Sequence, residues 1–370
     1  MQWKHLLSDV DLGEAEAAAV ADVVRSKWLS LGPRTAEFER QFADFLGVRH
    51  AVAVANCTAA LHLALAAVGV EAGDEVLTPS YTFVATANAI LYQRATPVFV
   101  DIVGPADLNL DPDDLARKIT PRTKAICVVH LAGYPADMDR IMALAERHHL
   151  AVVEDACHAI GAAYLRDNAS CHHGKMAGAI GDVGCFSFFA NKNLVTGEGG
   201  MLVTNDDRIA QCVRTARSHG MTKSSWDKAS GRASDYDVVQ LGYNYRCTEI
   251  TAALGMVQLA KLQEANARRR QLAAAYHARL QNVAGVSLPF ANQQGESAHH
   301  ILPVVLDDPH ARQHVRQSLA DQGVQTSVHY PPVHQFSHYQ SHVGDVSLPK
   351  TEDASARELT LPLHPLMHDS

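Results

Sequence analysis

The segment that decides the fold runs from Ala51 to Ala67 and reads A-V-A-V-A-N-C-T-A-A-L-H-L-A-L-A-A. Its first five residues are small or β-branched and predict a strand over 51–55. The residues Asn56, Cys57 and Thr58 follow, and the alanines and leucines after them predict a helix over 58–67. A strand that passes directly into a helix is the repeating unit of a parallel sheet covered by helices.

The same alternation of short apolar runs and helical stretches continues through the first two-thirds of the chain. It predicts an α/β protein whose large domain has a mostly parallel sheet sandwiched by helices. Ligands of such sheets bind at the carboxyl ends of the strands, so residues that follow different strands can share one crevice. The further predicted strands are 75–78, 97–101, 125–130 and 151–155, and the further predicted helices are 83–91, 112–118 and 136–149.

After Gly242 the sequence changes character. Residues 248–280 are rich in alanine, with Glu, Gln, Lys and Arg between the apolar positions, and they predict one or two long helices. We therefore predict a large domain over residues 1–245 and a smaller C-terminal α+β domain over residues 246–370. The other elements predicted in the smaller domain are strands at 286–290, 301–306 and 324–330 and a helix at 310–322.

Composition narrows the classes of function. Of the 370 residues, 47% are hydrophobic and 19% are charged, which favours a well-packed globular protein over a disordered one. The net charge of −8 argues against nucleic acid as a partner. The first five residues lack the apolar core of a signal peptide, and no run reaches the ~18 apolar residues of a membrane span. We expect a cytoplasmic protein without a membrane partner.

The seven cysteines are scattered and never form a C-x-x-C pair, so we interpret them as reduced thiols. The run Cys171-His172-His173 invites interpretation as a metal site. It lacks a second pair of ligands at a suitable spacing, so we favour a solvated loop and predict no metal.

Lys192 lies in the run F-S-F-F-A-N-K-N-L-V-T-G-E-G-G, from Phe186 to Gly200, between an apolar strand-like stretch and a glycine-rich turn. An arbitrary loop lysine is usually a surface residue, because its ammonium group is strongly hydrated. A lysine in a dry pocket loses its proton more easily and becomes a nucleophile toward carbonyl groups. That chemistry is what a pyridoxal phosphate (PLP) enzyme requires of its lysine.

A PLP site needs three further parts: an acid for the pyridine nitrogen, a phosphate-binding site and a flat group against the ring. Asp155 ends the predicted strand and is a better acid than Glu154, because alternation lets only one of the two face the crevice. Thr58 at the helix start and Ser187 before the lysine are candidate phosphate ligands. Phe83 is the candidate ring-stacking residue. Each has an ordinary alternative, which is a helix cap for Asp155 and Thr58 and a core position for Phe83.

Together these pieces resemble the DegT/StrS-type sugar aminotransferases, in the fold type I, aspartate aminotransferase-like class of PLP enzymes. The resemblance covers nearly the whole chain, and the combination of motifs is more specific than any one of them. The motifs are Gly32-Pro33 with Phe38-Glu39, N-C-T-A-A-L from Asn56, P-S-Y-T-F-V-A-T from Pro79, H-L-A-G-Y-P-A-D-M from His130, E-D-A-C-H-A-I-G from Glu154, the lysine run, S-H-G-M from Ser218, L-G-Y-N-Y-R from Leu241 and L-P-L-H-P-L-M from Leu361.

The resemblance implies a role for each matched residue. Lys192 would tether the cofactor and move the proton, and Asp155 would pair with the pyridine nitrogen. Asn244 would reach across a homodimer to the partner's phosphate site, so that each active site needs two chains. The remaining implied contacts are with the phosphate for Thr58, the Ala59 backbone and Ser187, with the ring face for Phe83, with the ring hydroxyl for His158 and with the substrate for His329.

By the same resemblance, the protein is expected to convert a nucleotide-linked keto sugar into an amino sugar, with PLP as cofactor and L-glutamate as amino donor. Such reactions belong to amino-sugar, polysaccharide or secondary-metabolite biosynthesis. A cyclitol or other keto substrate, or a PLP-binding relative without turnover, are the alternatives. Family members that dehydrate or deoxygenate sugars replace the lysine by histidine, so Lys192 argues against them. The run Gly197-Glu198-Gly199-Gly200 matches neither of the common nucleotide-binding glycine patterns.

The sequence departs from the family pattern in four places. Ala132 stands where an aromatic residue is common. Cys57 stands where a glycine is usual, which predicts a slightly different turn. Residues 166–173 look like a longer loop than usual, with no role that the sequence assigns. The chain also stops soon after Met367, where relatives usually continue through a final helix, so we expect the small domain either to lack that helix or to have its edge covered in some other way.

Overall fold

The computed structural model describes residues 3–165, 169–223, 225–231, 234–293 and 295–368. Its strands are β1 (His50–Val54), β2 (Glu75–Pro79), β3 (Thr96–Val100), β4 (Ile102–Gly104), β5 (Asp107–Leu110), β6 (Thr123–Val129), β7 (Ala151–Asp155), β8 (Val183–Ser187), β9 (Gly200–Thr204), β10 (Val286–Ser287), β11 (Leu302–Leu306) and β12 (Glu358–Leu361). Its α-helices are α1 (Glu14–Ser26), α2 (Pro33–Leu46), α3 (Cys57–Ala67), α4 (Val84–Tyr92), α5 (Pro112–Lys118), α6 (Met138–His148), α7 (Asp207–Ala216), α8 (Ser225–Ala229), α9 (Glu249–Leu280), α10 (Ala311–Asp321), α11 (Ser337–Val343) and α12 (Pro349–Arg357).

A seven-stranded sheet within the described ranges has the strand order β1-β9-β8-β7-β6-β2-β3. The strand β9 runs antiparallel to both of its neighbours, β1 and β8. The remaining neighbouring pairs in this sheet are parallel. The predicted α/β fold with a mostly parallel sheet is therefore confirmed.

Alternate residues of the strands face two different layers of helices, as the two-residue period of a strand requires. On β7, Val153 packs with residues of α3, α4 and α7, whereas Val152 packs with residues of α5 and α6. On β1, Val52 belongs to the first of these cores, and Ala53 packs with α2 and α9 on the other face. Because helices cover both faces, the carboxyl ends of β1, β2, β7 and β8 are left as the place where loop residues converge.

The long predicted helix is continuous and forms α9, which has 32 residues. It packs along α1 and α2. The closest approach is at Gly255, where an added Cβ would lie 2.4 Å from the ring of Phe38. Only a residue without a side chain allows this contact between α9 and α2 at its present distance.

The first residue of α9 also serves the start of α2. The buried carboxylate of Glu249 accepts the backbone N–H groups of Arg34 and Thr35, each at 2.8 Å. The Thr35 hydroxyl donates to the same carboxylate at 2.7 Å. These N–H groups have no partner within α2, so Glu249 satisfies donors that the helix itself leaves open.

The smaller sheet has the strand order β10-β11-β12, with antiparallel pairing throughout. The prediction of a strand over 324–330 is wrong, because the third strand of this sheet is β12 and residues 324–330 are not part of it. Residues 324–330 contact two different partners instead: Val324 bridges to His5, and Ser327 bridges to Thr360. A strand is held by a ladder of successive hydrogen bonds, and this segment makes only isolated bridges to two different partners.

The segment that the sequence predicts as a long loop, 166–173, lies partly outside the described residues, which resume at Ala169. Cys171 is exposed, and all seven cysteines are free thiols. Across the described residues, no three His, Cys, Asp or Glu side chains are arranged to hold a metal ion. In the same residues we find no helix with the length and apolar character to cross a membrane.

Candidate active site

A cleft of about 460 Å³ opens at the carboxyl ends of the central strands. This volume lies within the range of small-molecule sites, about 300–1,000 Å³. Several residues that the sequence singles out line it together although they are distant along the chain. They are Thr58, Phe83, Asp155, Ser187, Lys192 and His329.

Lys192 lies in the loop between β8 and β9, and its amine Nζ is 3.4 Å from Nε2 of His300. The next residue, Asn193, is buried and fixes this loop, because its amide Nδ2 donates to Asn266 Oδ1 at 2.9 Å and to the Ala298 carbonyl at 2.7 Å. The side-chain oxygen of Asn193, Oδ1, is therefore left to accept the Nδ1–H of His300, at 3.0 Å. This tautomer leaves Nε2 of His300 as an acceptor that faces the lysine.

The electrostatics of His300 agree with that assignment. Burial, followed by the nearby charge of Lys192, lowers the pKa of His300 well below its usual value. The imidazole is therefore neutral at physiological pH and orients the lysine amine without competing with it for charge.

Asp155 and Glu154 point to opposite faces of β7, as the sequence predicts. Asp155 faces the cleft, and its Oδ2 accepts a hydrogen bond from the Thr86 hydroxyl at 2.8 Å. Its Oδ1 accepts the N–H of Cys157 at 3.3 Å, so it also holds the turn after the strand. Glu154 is fully buried on the other side, where its Oε2 accepts a hydrogen bond from His130 at 2.8 Å.

The N-terminus of α3 forms one wall of the cleft. Asn56 caps it, and its side-chain oxygen accepts the Ala59 N–H at 2.9 Å. The Ala59 N–H, to which the family resemblance gives a phosphate contact, is therefore already used in this structure. Within the described residues, the N–H groups of Cys57 and Thr58 make no hydrogen bond, and these donors are open to a ligand.

The strand β9 approaches this helix start closely. An added Cβ at Gly200 would lie 2.5 Å from the backbone of Asn56, so a side chain at this position would push the helix away. Cys57 is buried at this helix start, and burial raises the pKa of its thiol well above the usual value. The thiol therefore stays protonated beside the site.

The outer wall of the cleft is aromatic. Phe83 is 56% exposed, and the centre of its ring lies 6.1 Å from that of Tyr330. His158 is buried behind this wall, where its Nε2 lies 3.0 Å from the Tyr330 hydroxyl and its ring centre lies 4.3 Å from that of His300. The Nδ1 atom of His158 has no hydrogen-bond partner within the described residues.

Two predicted residues remain to be located. His329 lines the cleft, and its Nδ1 is 2.9 Å from the hydroxyl of Thr360. Burial, followed by the charge of Lys192, lowers the pKa of His329 to about 4. Asn244 is exposed and does not line this cleft, and its role toward a partner subunit stays a prediction.

Comparison with known proteins gives the family directly. The family model described as the DegT/DnrJ/EryC1/StrS aminotransferase family matches residues 10–370. The chain belongs to this family. The resemblance stated from the sequence motifs is thereby confirmed, and the protein is an aminotransferase.

Individual relatives cover almost the whole chain. The spore coat polysaccharide biosynthesis protein SpsC of Bacillus subtilis (strain 168) is 42% identical over 365 residues, which is 97% of this chain and 92% of SpsC. The crystal structure of the aminotransferase TlmJ from Streptoalloteichus hindustanus is 38% identical, with a TM-score of 0.89 over 99% of this chain and 95% of TlmJ. The PLP form of the putative sugar aminotransferase Spr1654 from Streptococcus pneumoniae is 30% identical, with a TM-score of 0.89 over 98% of this chain and 94% of Spr1654.

Sequence reasoning missed three residues of the site: Thr86, His300 and Tyr330. Thr86 lies inside the motif P-S-Y-T-F-V-A-T, and Tyr330 directly follows the predicted substrate residue His329, but nothing marks either of them as a site residue. His300 stands just before β11, an apolar strand 108 residues after Lys192. A histidine at the start of a buried strand is a signal worth testing, but it does not say which residue the side chain will meet.

Proposed function

We propose that the protein is a PLP-dependent aminotransferase that transfers the amino group of an amino acid, L-glutamate, to a nucleotide-linked keto sugar. The observation that carries this proposal is the convergence of Lys192 and Asp155 on one cleft beside the N-terminus of α3. The printed descriptions of SpsC, in polysaccharide biosynthesis, and of Spr1654, a putative sugar aminotransferase with a PLP form, support the choice of substrate class and cofactor.

The side chains of the cleft fit this cofactor. The Asp155 carboxylate would pair with the protonated pyridine nitrogen, and Lys192 would bond to the aldehyde carbon. The open N–H groups of Cys57 and Thr58, at a helix N-terminus, would bind the phosphate dianion. The exposed ring of Phe83 would pack on the face of the pyridine.

When bound, the cofactor supplies an electron-withdrawing ring that stabilises negative charge on the substrate carbon that loses its proton. The Lys192 amine would accept that proton from the α-carbon of the amino donor and would deliver it to the cofactor carbon to which the amino group is transferred. Asp155 would keep the proton on the pyridine nitrogen, and the Thr86 hydroxyl holds the Asp155 carboxylate in place. His300 accepts a hydrogen bond from the lysine amine and so directs it into the cleft.

We also propose that the protein acts as a homodimer. Asn244 is exposed and lies outside its own cleft, so its contribution to a phosphate site would be made to a second copy of the chain. A homodimer of this kind would have two active sites, each built from both subunits.

The test uses the visible absorption band of a lysine-linked pyridoxal cofactor. The purified protein is expected to have this band, and Lys192→Ala should abolish it because no other amine faces the cleft in the described residues. Adding L-glutamate to the wild type should remove the band, and the correct keto-sugar nucleotide should restore it.

Lys124→Ala is the matched control, since Lys124 is exposed on β6 and lies outside the cleft. This variant should keep the band and its response to L-glutamate. An undiminished band in Lys192→Ala would overturn the assignment of the lysine. A wild-type band that no amino acid removes would overturn the proposed transamination.

A further inference from the structure

The further inference concerns the residues behind His329, which the mechanism above does not use. Three groups form a chain of short contacts there. Oε1 of Glu358 is 2.5 Å from the hydroxyl oxygen of Thr360, and that oxygen is 2.9 Å from Nδ1 of His329. The other oxygen of Glu358, Oε2, accepts the backbone N–H of His329 at 2.9 Å.

Both Glu358 and Thr360 are completely buried, so water does not take part in this chain of contacts. They lie two residues apart on β12 and therefore point to the same face of the strand. His329 is the only member that reaches the cleft. The three residues thus connect a buried acid to the wall of the active site.

The number of hydrogen atoms along this chain fixes the direction of each bond. When Glu358 is ionised, the Thr360 hydroxyl donates to it, and the same oxygen then accepts Nδ1–H of His329. The outer nitrogen of His329, Nε2, carries a lone pair in this state. When Glu358 is protonated, its proton lies on Oε1, because Oε2 faces an N–H donor. The acid then donates to Thr360, Thr360 donates to Nδ1, and Nε2 of His329 carries the hydrogen.

We propose that Glu358, acting through Thr360, is a positioning residue that sets whether His329 offers a hydrogen-bond donor or an acceptor to the cleft. The protonated acid makes His329 a donor for a carbonyl or carboxylate oxygen of a substrate. The ionised acid turns the same nitrogen into an acceptor, which repels such an oxygen. The switch itself is independent of the catalytic assignment, whereas its effect on substrate binding rests on the proposed function.

The surroundings of Glu358 place its pKa where the switch can operate near physiological pH. Burial raises the pKa of Glu358 to about 8, although Thr360, the N–H of His329 and the positive charges of Arg312 and Arg316 on α10 act in the opposite direction. The neighbouring strand β11 contributes only apolar residues and a proline to this region. Tyr81 and Tyr330 are close enough for the charge of this carboxyl to act on their hydroxyls, and burial raises the pKa of both, so they stay protonated.

Other charged or ionisable groups act on the histidine end. Burial, followed by Lys192, lowers the pKa of His329 to about 4, so the ring is neutral above that pH. His158 and His300, which also face it, have pKa values well below the usual range because both are buried beside Lys192. Between pH 6.5 and 9.5, the proton on Glu358 is therefore the one expected to decide the tautomer of His329.

The experiment is nuclear magnetic resonance of the cofactor-free protein labelled with ¹⁵N-histidine. The N–H and lone-pair nitrogens of a neutral imidazole have well-separated ¹⁵N shifts, so the spectrum reports the tautomer. His329 is assigned as the signal lost in His329→Gln. The wild type is expected to carry Nε2–H at pH 6.5 and Nδ1–H at pH 9.5, with a midpoint at about pH 8.

Three variants test the connection. Glu358→Gln imitates the protonated acid, because its amide can donate to Thr360 while its oxygen accepts from the His329 N–H, so Nε2–H should persist at pH 9.5. Thr360→Val should abolish the pH-dependent switch, and Thr360→Ser should restore it. Asp353→Asn is the matched control, since Asp353 pairs with Arg357 at the surface and is outside the contacts, and its midpoint should not move.

The proposal is overturned if wild-type His329 has the same tautomer at pH 6.5 and 9.5, or if Glu358→Gln switches at the wild-type midpoint. In the loaded enzyme, KM for the amino donor should rise about three- to tenfold from pH 7 to 9 in the wild type and less than about twofold in Glu358→Gln, the size of one hydrogen bond. Equal rises in both would overturn the role in substrate binding. Absence of turnover would count against the proposed function and leave the spectroscopic result standing.

Discussion

The pKa values of two buried carboxylates, Glu154 and Glu358, are shifted in opposite directions. Burial would raise the pKa of Glu154, but a hydrogen bond from His130 and the backbone N–H groups of Gly178 and Gly181 outweigh it, and the pKa is lowered. Glu358 has two donors, the Thr360 hydroxyl and the His329 N–H, and burial prevails. The hydrogen bonds and neighbouring charges of each carboxylate, set against its burial, therefore decide the direction in which its pKa moves.

The state of Glu358 has a consequence for stability. Its pKa rises from 4.5 to about 8 on folding. Between those pH values the unfolded chain is ionised at this position while the folded protein is protonated, so the free energy of unfolding falls as pH rises. Glu358→Gln removes this contribution. We expect the variant to gain on the order of 3–4 kcal/mol relative to the wild type between pH 5 and pH 8.

Chemical denaturation of the cofactor-free proteins at several pH values would measure this difference. Asp353→Asn, which changes an exposed acid on the adjacent helix α12, should follow the wild type throughout. If the free energies of unfolding of the wild type and Glu358→Gln changed in parallel with pH, the acid would already be ionised in the folded protein at neutral pH.

At the residue scale, the sequence predicts the site residues that follow strands of the large sheet but not the hydrogen-bond partners that other elements contribute. Asp155 and Lys192 were expected in one crevice because each follows a strand of the same sheet, and both line the cleft. The partner of Asp155 is Thr86, which lies on α4. The partner of Lys192 is His300, which lies just before β11 of the smaller sheet. Such contacts depend on the tertiary fold, and a single hydroxyl or imidazole has no spacing that reveals it.

At the scale of elements, the contact between α9 and α2 is set by one missing side chain. Gly255 lies where any Cβ would be 2.4 Å from the ring of Phe38, which is itself fully buried. Glycine in the interior of a helix costs about 1 kcal/mol relative to alanine. That cost is accepted here because the two helices could not otherwise pack so closely.

Gly255→Ala is therefore expected to lower the free energy of unfolding by about 1–3 kcal/mol, despite the better helix propensity of alanine. Phe38→Leu should make room for the new methyl group, so the double variant should be more stable than the sum of the two single effects predicts. Thermal and chemical unfolding would give the three differences.

Gln263→Ala serves as the control, because Gln263 is exposed on the same helix and this change should alter stability only slightly. Strict additivity of Gly255→Ala and Phe38→Leu would contradict the proposed steric contact between the two residues.

The elements that the sequence predicts well are those with a local signal. Residues 112–118 and 151–155 match α5 and β7, because a proline start or a buried apolar run marks each of them. The segment 324–330 has valines and a tyrosine in the pattern of a strand but pairs with two separate partners. Strand pairing is non-local, so composition alone could not exclude it.

At the scale of the whole molecule, the α/β class follows from the strand–helix alternation, and the family follows from motifs spread over the chain. The division into a large domain over 1–245 and a small domain over 246–370 stays a prediction. Contacts made near the two proposed parts run across that division: Lys4 donates its backbone N–H to Gly323 at 2.8 Å, and Glu249 satisfies the start of α2. A change in composition along a sequence does not have to coincide with a gap in packing.

The position of α9 has a practical consequence for cutting the gene into pieces. A fragment of residues 1–245 would contain every strand of the large sheet but would lose the cover over Phe38 and Phe42, which Ala252 and Leu262 of α9 provide. We expect that fragment to aggregate on expression and a fragment of residues 1–282 to be markedly more soluble, as sedimentation of lysates would measure. Equal solubility would contradict this view. If the longer fragment is the more soluble one, the smallest piece able to fold alone ends where α9 ends, well past the point where the composition of the chain changes.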